Sequence, residues 1–167
     1  MTLTESEKMI SAWLPPRQRE ALYRCGIPFP EIMEIRLREH APMTVTWGKD
    51  GNNTVCPGGT IDGEGLRNTL ARICGGSVHA YDEPLRRGYL TPDGCSGVRV
   101  GAAGKVITEH GKILRLQKTG ALCIRLPHDV TVTGDDALRL IRTGTLLDGS
   151  EGEKPSDAAP RVIPTLF

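Results

Sequence analysis

Residues 77–126 read SVHAYDEPLRRGYLTPDGCSGVRVGAAGKVITEHGKILRLQKTGALCIRL, and their pattern decides the fold. A short charged helix is expected over 80–87, followed by the GYLT segment, the turn Pro92-Asp93-Gly94 and then strands. Val98 and Val100 alternate with Arg99 and Gly101, while Leu122, Ile124 and Leu126 alternate with Cys123 and Arg125. That is the period-two signature of strands with one buried face. Between them the turn Glu109-His110-Gly111 separates KVIT (105–108) from ILRL (113–116), so three antiparallel strands are expected here.

Working upstream, Ile35 and Leu37 alternate with Arg36 and Arg38, and Met43, Val45 and Trp47 with Thr44 and Thr46. After the turn GKDGNN (48–53), a third short strand is expected around Thr54 and Val55, giving an antiparallel meander. Asp62 reads as an N-cap; Leu66, Leu70 and Ile73 have helical spacing, and Gly75-Gly76 closes that helix. Two further helices are expected at the start. Thr4 with Glu7 has the capping-box spacing, and Pro15-Pro16 breaks the first helix (4–13) from the second (16–25). Met9, Ile10, Trp13, Leu14, Leu22 and Tyr23 would form their common apolar side, as a lid on the sheet.

Downstream, a last helix is expected over 134–142, with Asp135 and Asp136 in its first turn, and a flexible polar tail over 144–167. The expected fold is therefore α+β: a mainly antiparallel sheet of about six strands with helices packed on it, in one domain over 1–143.

Composition limits function. A 38% hydrophobic fraction over 167 residues is enough for a core, and a net charge of +1 creates no long-range field toward nucleic acid or membranes. Any anion site must be local. The basic residues are 15 Arg against 6 Lys, and the guanidinium fork pairs bidentately with carboxylate or phosphate. High-GC coding bias with surface ion pairs explains that excess equally well. Five scattered cysteines, without a C-x-x-C pair, read as reduced and mostly buried thiols of a cytosolic protein. The opening segment has no apolar run of signal-peptide type, and no stretch is long and apolar enough to span a bilayer.

Catalytic motifs fail on spacing. The Gly-Lys pairs at 48–49, 104–105 and 111–112 lack both the upstream Gly and the following Ser or Thr of a phosphate loop. His40, His79, His110 and His128 share no metal-ligand spacing, and no cysteine has an evident activating base. Asp82 and Glu83 suit pairing with Arg86 and Arg87 at i+4 better than acid–base chemistry. No catalytic or metal-binding residue is expected. The stronger constellation is Arg36, Arg99, Arg115 and Arg125, one per strand segment and all opposite the apolar positions. Such a face could hold an anion or meet acidic groups, although alternation places any polar residue there.

The motifs EIRLR (34–38), YDEPLR (81–86), GYLT (88–91), VRVGAAG (98–104) and IRL (124–126) occur in this order. In that order they resemble the N-terminal half of the stage III sporulation protein AA family, over roughly residues 14–143. The resemblance implies a cytosolic ATPase related to type II and type IV secretion motors, and partners among the other stage III A sporulation proteins. It also implies a PAS-like N-terminal domain packed against the ATPase domain, and a homo-oligomer, hexameric in the full-length family. Related motors use N-domain arginines to reach nucleotide phosphates held by the ATPase domain. By position in the strand motifs, Arg99 and Arg125 are similar to those arginines, as nucleotide- or partner-contacting residues. Where the family has an Arg-Asp pair before the last strand, this chain has LQKT (116–119).

Three readings follow. The first is a non-catalytic assembly domain docking on an ATPase domain or channel partners, with no cofactor of its own, ATP and Mg entering only through the missing ATPase half. It would be cytoplasmic and peripheral to the membrane only through partners. The second is a fragment of a full-length P-loop ATPase that powers the sporulation channel. The third, a small nucleic-acid-binding module using the arginine face, is opposed by the neutral net charge and by a 4% aromatic content.

Overall fold

The computed structural model describes residues 5–95 and 97–127; the helix expected at 134–142, the tail at 144–167, His128 and the Thr4 cap lie outside them. Two leading helices, α1 (Glu5–Trp13) and α2 (Pro16–Arg24), are followed by strands β1 (Ile32–Arg38), β2 (Met43–Trp47) and β3 (Asn52–Cys56). Helix α3 (Gly63–Ile73) and short helix α4 (Asp82–Arg86) come next, then β4 (Tyr89–Leu90), β5 (Arg99–Glu109) and β6 (Lys112–Arg125). The six strands form one sheet in the order β3-β2-β1-β6-β5-β4, with every neighbouring pair antiparallel. The fold is α+β.

Local chemistry explains the helix boundaries. Pro16 occupies the first turn of α2, where a missing N–H costs nothing. The Asp62 carboxylate accepts from the Gly65 amide at 2.7 Å and caps α3, placing Leu66, Leu70 and Ile73 on its buried side. The core is one cluster: Ile35 and Leu37 from β1, Met43 and Val45 from β2, Val100 from β5 and Leu122 and Ile124 from β6 meet the helices. Ile10, Trp13, Leu14 and Leu22 are buried with them, so α1 and α2 do cover apolar surface. Tyr23 does not join that side. It is 48% exposed and its hydroxyl shares a 2.8 Å hydrogen bond with Ser11, a better position for a phenol than a dry core.

The second half of the sheet differs from the sequence reading in segmentation. The segments around Val98 and KVIT belong to the single strand β5, and ILRL and the segment around Ile124 to the single strand β6; the third strand here is the two-residue edge strand β4. β5 and β6 make one long hairpin, closed by His110 and Gly111, both with positive φ, as a tight two-residue turn demands. Three register shifts interrupt the pairing, at Ala103/Gly104, Lys105/Val106 and Ile107/Thr108. Each leaves an extra β6 residue, which breaks strict alternation and increases twist.

Pairing on α4 also differs in part. Glu83 binds Arg87 at 2.5 Å as expected, whereas Arg86 reaches the backbone oxygen of Asp82, whose carboxylate faces His79 at 3.6 Å. All five cysteines are free thiols; Cys56, Cys74 and Cys95 are buried, and Cys25 and Cys123 are half-buried.

Candidate functional site: an arginine face on the sheet

The sheet face opposite the core is built by register. Glu34 stands opposite Arg125 and Arg36 opposite Cys123 across β1 and β6, and Arg99 stands opposite Arg125 across β5 and β6. One row across three adjacent strands therefore reads Glu34, Arg125, Arg99. Arg36 and Arg38 follow along β1 on the same face.

Glu34 organises this row. It is only 7% exposed, its Oε2 accepts from Arg125 Nε at 2.9 Å, and its Oε1 pairs with Arg36 Nε. Burial would push the carboxyl up, but hydrogen bonds from the Cys123 thiol, Arg125 and Arg36, with the Arg36 charge, outweigh it and hold Glu34 below the usual carboxylate range. The same hydrogen bonds raise both guanidinium groups above their ordinary value. Burial, then the neighbouring Glu34 carboxylate, pushes the Cys123 thiol up.

One carboxylate thus serves two of four arginines. Arg38 and Arg99 are exposed and have no ion-pair partner among the described residues. Beside them the sheet sinks into an open depression of about 310 Å3, floored by Gly101, Ala103, Ala121 and Cys123 and edged by Arg36 and Arg38. Small side chains on adjacent strands make this hollow, and two guanidinium groups make its edge cationic. The arrangement can hold an anionic group against a shallow apolar floor.

Of the sequence-selected arginines, the structure brings Arg36, Arg99 and Arg125 together and leaves Arg115 apart. Arg115 is paired in register with Ile107 toward the hairpin tip, roughly 30 Å along β6 from Arg125 at about 3.3 Å per residue. The bulges between them explain why alternation could not place it. Sequence reasoning passed over Glu34, Arg38 and Cys123. The signal for the first was present as Glu-x-Arg-x-Arg on one strand, which sets a carboxylate beside the arginines of its own face.

The described residues do not fit magnesium nucleotide as a resident group. Gly48-Lys49 lies in the β2–β3 connection, Gly104-Lys105 inside β5 and Gly111-Lys112 at the hairpin turn, and none opens a helix. Among the described residues, no three His, Cys, Asp or Glu side chains converge as metal ligands.

The fold and the site together define a single-sheet α+β domain with a clustered arginine face. The chain belongs to the family described as sporulation stage III, protein AA, which it matches over residues 4–146. Stage III sporulation protein AA of Bacillus subtilis (strain 168) is 34% identical over 97 residues, a match covering 58% of this chain and 30% of that protein. The matched region thus spans under a third of that relative's length. Among solved structures, the VirB11 ATPase from the Brucella suis type IV secretion system, in complex with sulphate, aligns with a TM-score of 0.44 and 19% identity. That alignment covers 83% of this chain and 39% of the other. No helix among the described residues is long and apolar enough to cross a membrane.

Proposed function

We propose that this chain is an assembly and interaction domain of a sporulation ATPase, acting on the cytoplasmic side and docking its arginine face on an ATPase domain that holds the nucleotide. Family membership supplies the sporulation context, and the resemblance of Arg99 and Arg125 to phosphate-reaching arginines supplies the role. The observation that carries the reading is the row Glu34, Arg125, Arg99. Glu34 neutralises and fixes Arg125, while Arg99 beside it keeps an uncompensated charge on an exposed strand. A positioned cation next to a free one suits contact with a phosphate or carboxylate brought by a partner. In this reading the chain contributes charge and position, and the bond-breaking machinery belongs to the partner.

The test mixes the purified chain with a separately expressed ATPase domain of the same family and follows ATP turnover. The chain alone should show none. Turnover by the ATPase domain should rise when the chain is added, and Arg99→Ala should abolish that rise without altering the melting temperature. Magnesium-dependent hydrolysis by the chain alone, or stimulation unaffected by Arg99→Ala, refutes the reading.

A further inference from the structure

The distal half of the β5–β6 hairpin exposes both apolar and cationic side chains. Val106, Ile113 and Leu114 are 41%, 44% and 47% exposed, half of the six large hydrophobic residues exposed among the described ones. Lys105, Lys112 and Arg115 lie among them without an ion-pair partner in the described residues, whereas Lys118 at the arm's base is bound by Glu39 at 2.7 Å. Glu109 is the arm's single acid and stands opposite Lys112 in register. A chain of net charge +1 therefore concentrates unpaired positive charge where it also leaves aliphatic side chains in water. Monomeric proteins seldom leave such a patch without an occupant.

We propose that this arm is a peripheral contact for an anionic lipid bilayer, with Ile113 and Leu114 entering the headgroup region and Lys105, Lys112 and Arg115 meeting lipid phosphates. Charge complementarity selects the occupant. Aliphatic residues at a tip with cations around them match the interface between acyl chains and anionic headgroups. A second copy is disfavoured, because like arms would bring the same three cations together. The bulged pairing and Lys105 on the outer strand oppose edge-to-edge addition of another strand. Single-stranded nucleic acid is disfavoured because the arm offers no Phe, Tyr or Trp for a base to stack on, only the His110 imidazole at its turn. This contact is separate from the arginine face, so its failure would leave the proposed docking role untouched.

The test is co-sedimentation of the whole 167-residue chain with phosphatidylglycerol-rich vesicles and with phosphatidylcholine vesicles, at low and physiological salt. Partitioning should be selective for phosphatidylglycerol and fall as salt screens the cations. The double variant Ile113→Ser, Leu114→Ser should lose partitioning about tenfold, and Lys112→Gln with Arg115→Gln about thirtyfold at low salt, each cation near an anionic surface being worth about fivefold. Both variants should melt with the parent, because all four side chains are exposed. No binding by the parent, equal binding to both vesicle types, or unaltered binding by both variants overturns the proposal. So does concentration-dependent self-association in light scattering that the serine variant abolishes, which would make a second copy the occupant.

Discussion

Glu34 and Arg125 face each other directly across β1 and β6, and the carboxylate of the first accepts from the guanidinium of the second at 2.9 Å. Because Arg99 stands opposite Arg125 on the other side, this carboxylate is what allows two arginines to occupy adjacent strands. Removing the charge should therefore destabilise the sheet through repulsion as well as through a lost hydrogen bond. For Glu34→Gln we expect a loss of about 1–2 kcal/mol in urea unfolding near neutral pH, modest because both guanidinium groups remain partly solvated. The Glu34 carboxyl is held below its ordinary 4.5 in the folded state, so its contribution is complete above that pH and lost as pH falls through the lowered value. The gap between parent and variant should thus be flat from neutral pH to about 4.5 and close below it. A gap that widens on acidification would contradict this linkage.

The two arginines carried over by resemblance should separate in stability. Arg99→Ala removes an unpaired exposed charge and should change stability by under about 0.5 kcal/mol. Arg125→Ala leaves Glu34 with Arg36 alone and should cost about 1 kcal/mol, more than its 68% exposed side chain would suggest. Thermal melts of the two variants provide the comparison. Equal effects would mean that Glu34 does not discriminate between them.

Much of this architecture was legible because simple periods survive in it. Ile35 and Leu37 against Arg36 and Arg38 gave β1 its buried and exposed faces, and Asp62 with Leu66, Leu70 and Ile73 gave α3 its cap and its core side. The hairpin was harder to read. Its bulges interrupt the period three times between Ala103 and Thr108, so one long strand looks like two short ones and Arg115 looks coplanar with Arg125. The site was half legible for a related reason. Alternation locates arginines on a face, but only strand order, which brings β1 beside β6 and β6 beside β5, shows that Glu34, Arg125 and Arg99 share a row.

Cysteine reactivity follows burial. Desolvation pushes Cys74 up to about 11 and, with the adjacent Cys25 thiol adding to it, Cys56 up to about 12. Both should resist alkylation by iodoacetamide at neutral pH in the native protein and react on unfolding, as resolved by mass spectrometry. Since both values lie above the ordinary 9.0, their contribution to stability is intact below that pH and declines as pH rises through the folded values. Rapid labelling of Cys56 in the native state would mean that α2 and β3 separate readily.

The core should respond as a single unit. Leu70 is buried on α3 within the same cluster as Leu122 and Ile124, so Leu70→Ala should cost about 2–5 kcal/mol by leaving a cavity that the sheet cannot close. Chemical denaturation measures it directly. An unchanged midpoint would mean that α3 does not seal the sheet.

Two glycines of β5 test the hollow and the arm separately. At Gly101 an added Cβ would meet nothing closer than the Cys123 Cβ at 3.7 Å, an ordinary contact, so Gly101→Ala should fold normally while raising the floor of the depression between the arginines. Gly104 sits at the first bulge, where a Cβ would run into the Lys118 carbonyl oxygen and lie 2.8 Å from the Gly120 nitrogen. Those are backbone atoms of the paired strand and cannot rotate away. Gly104→Ala should therefore cost about 1–3 kcal/mol, or open the pairing from Gly104 to the tip. Amide hydrogen exchange distinguishes the two sites: protection across residues 105–118 should fall in the Gly104 variant and persist in the Gly101 variant. If the Gly104 variant kept full protection there, the close approach of β5 and β6 at the base of the arm would be wrong.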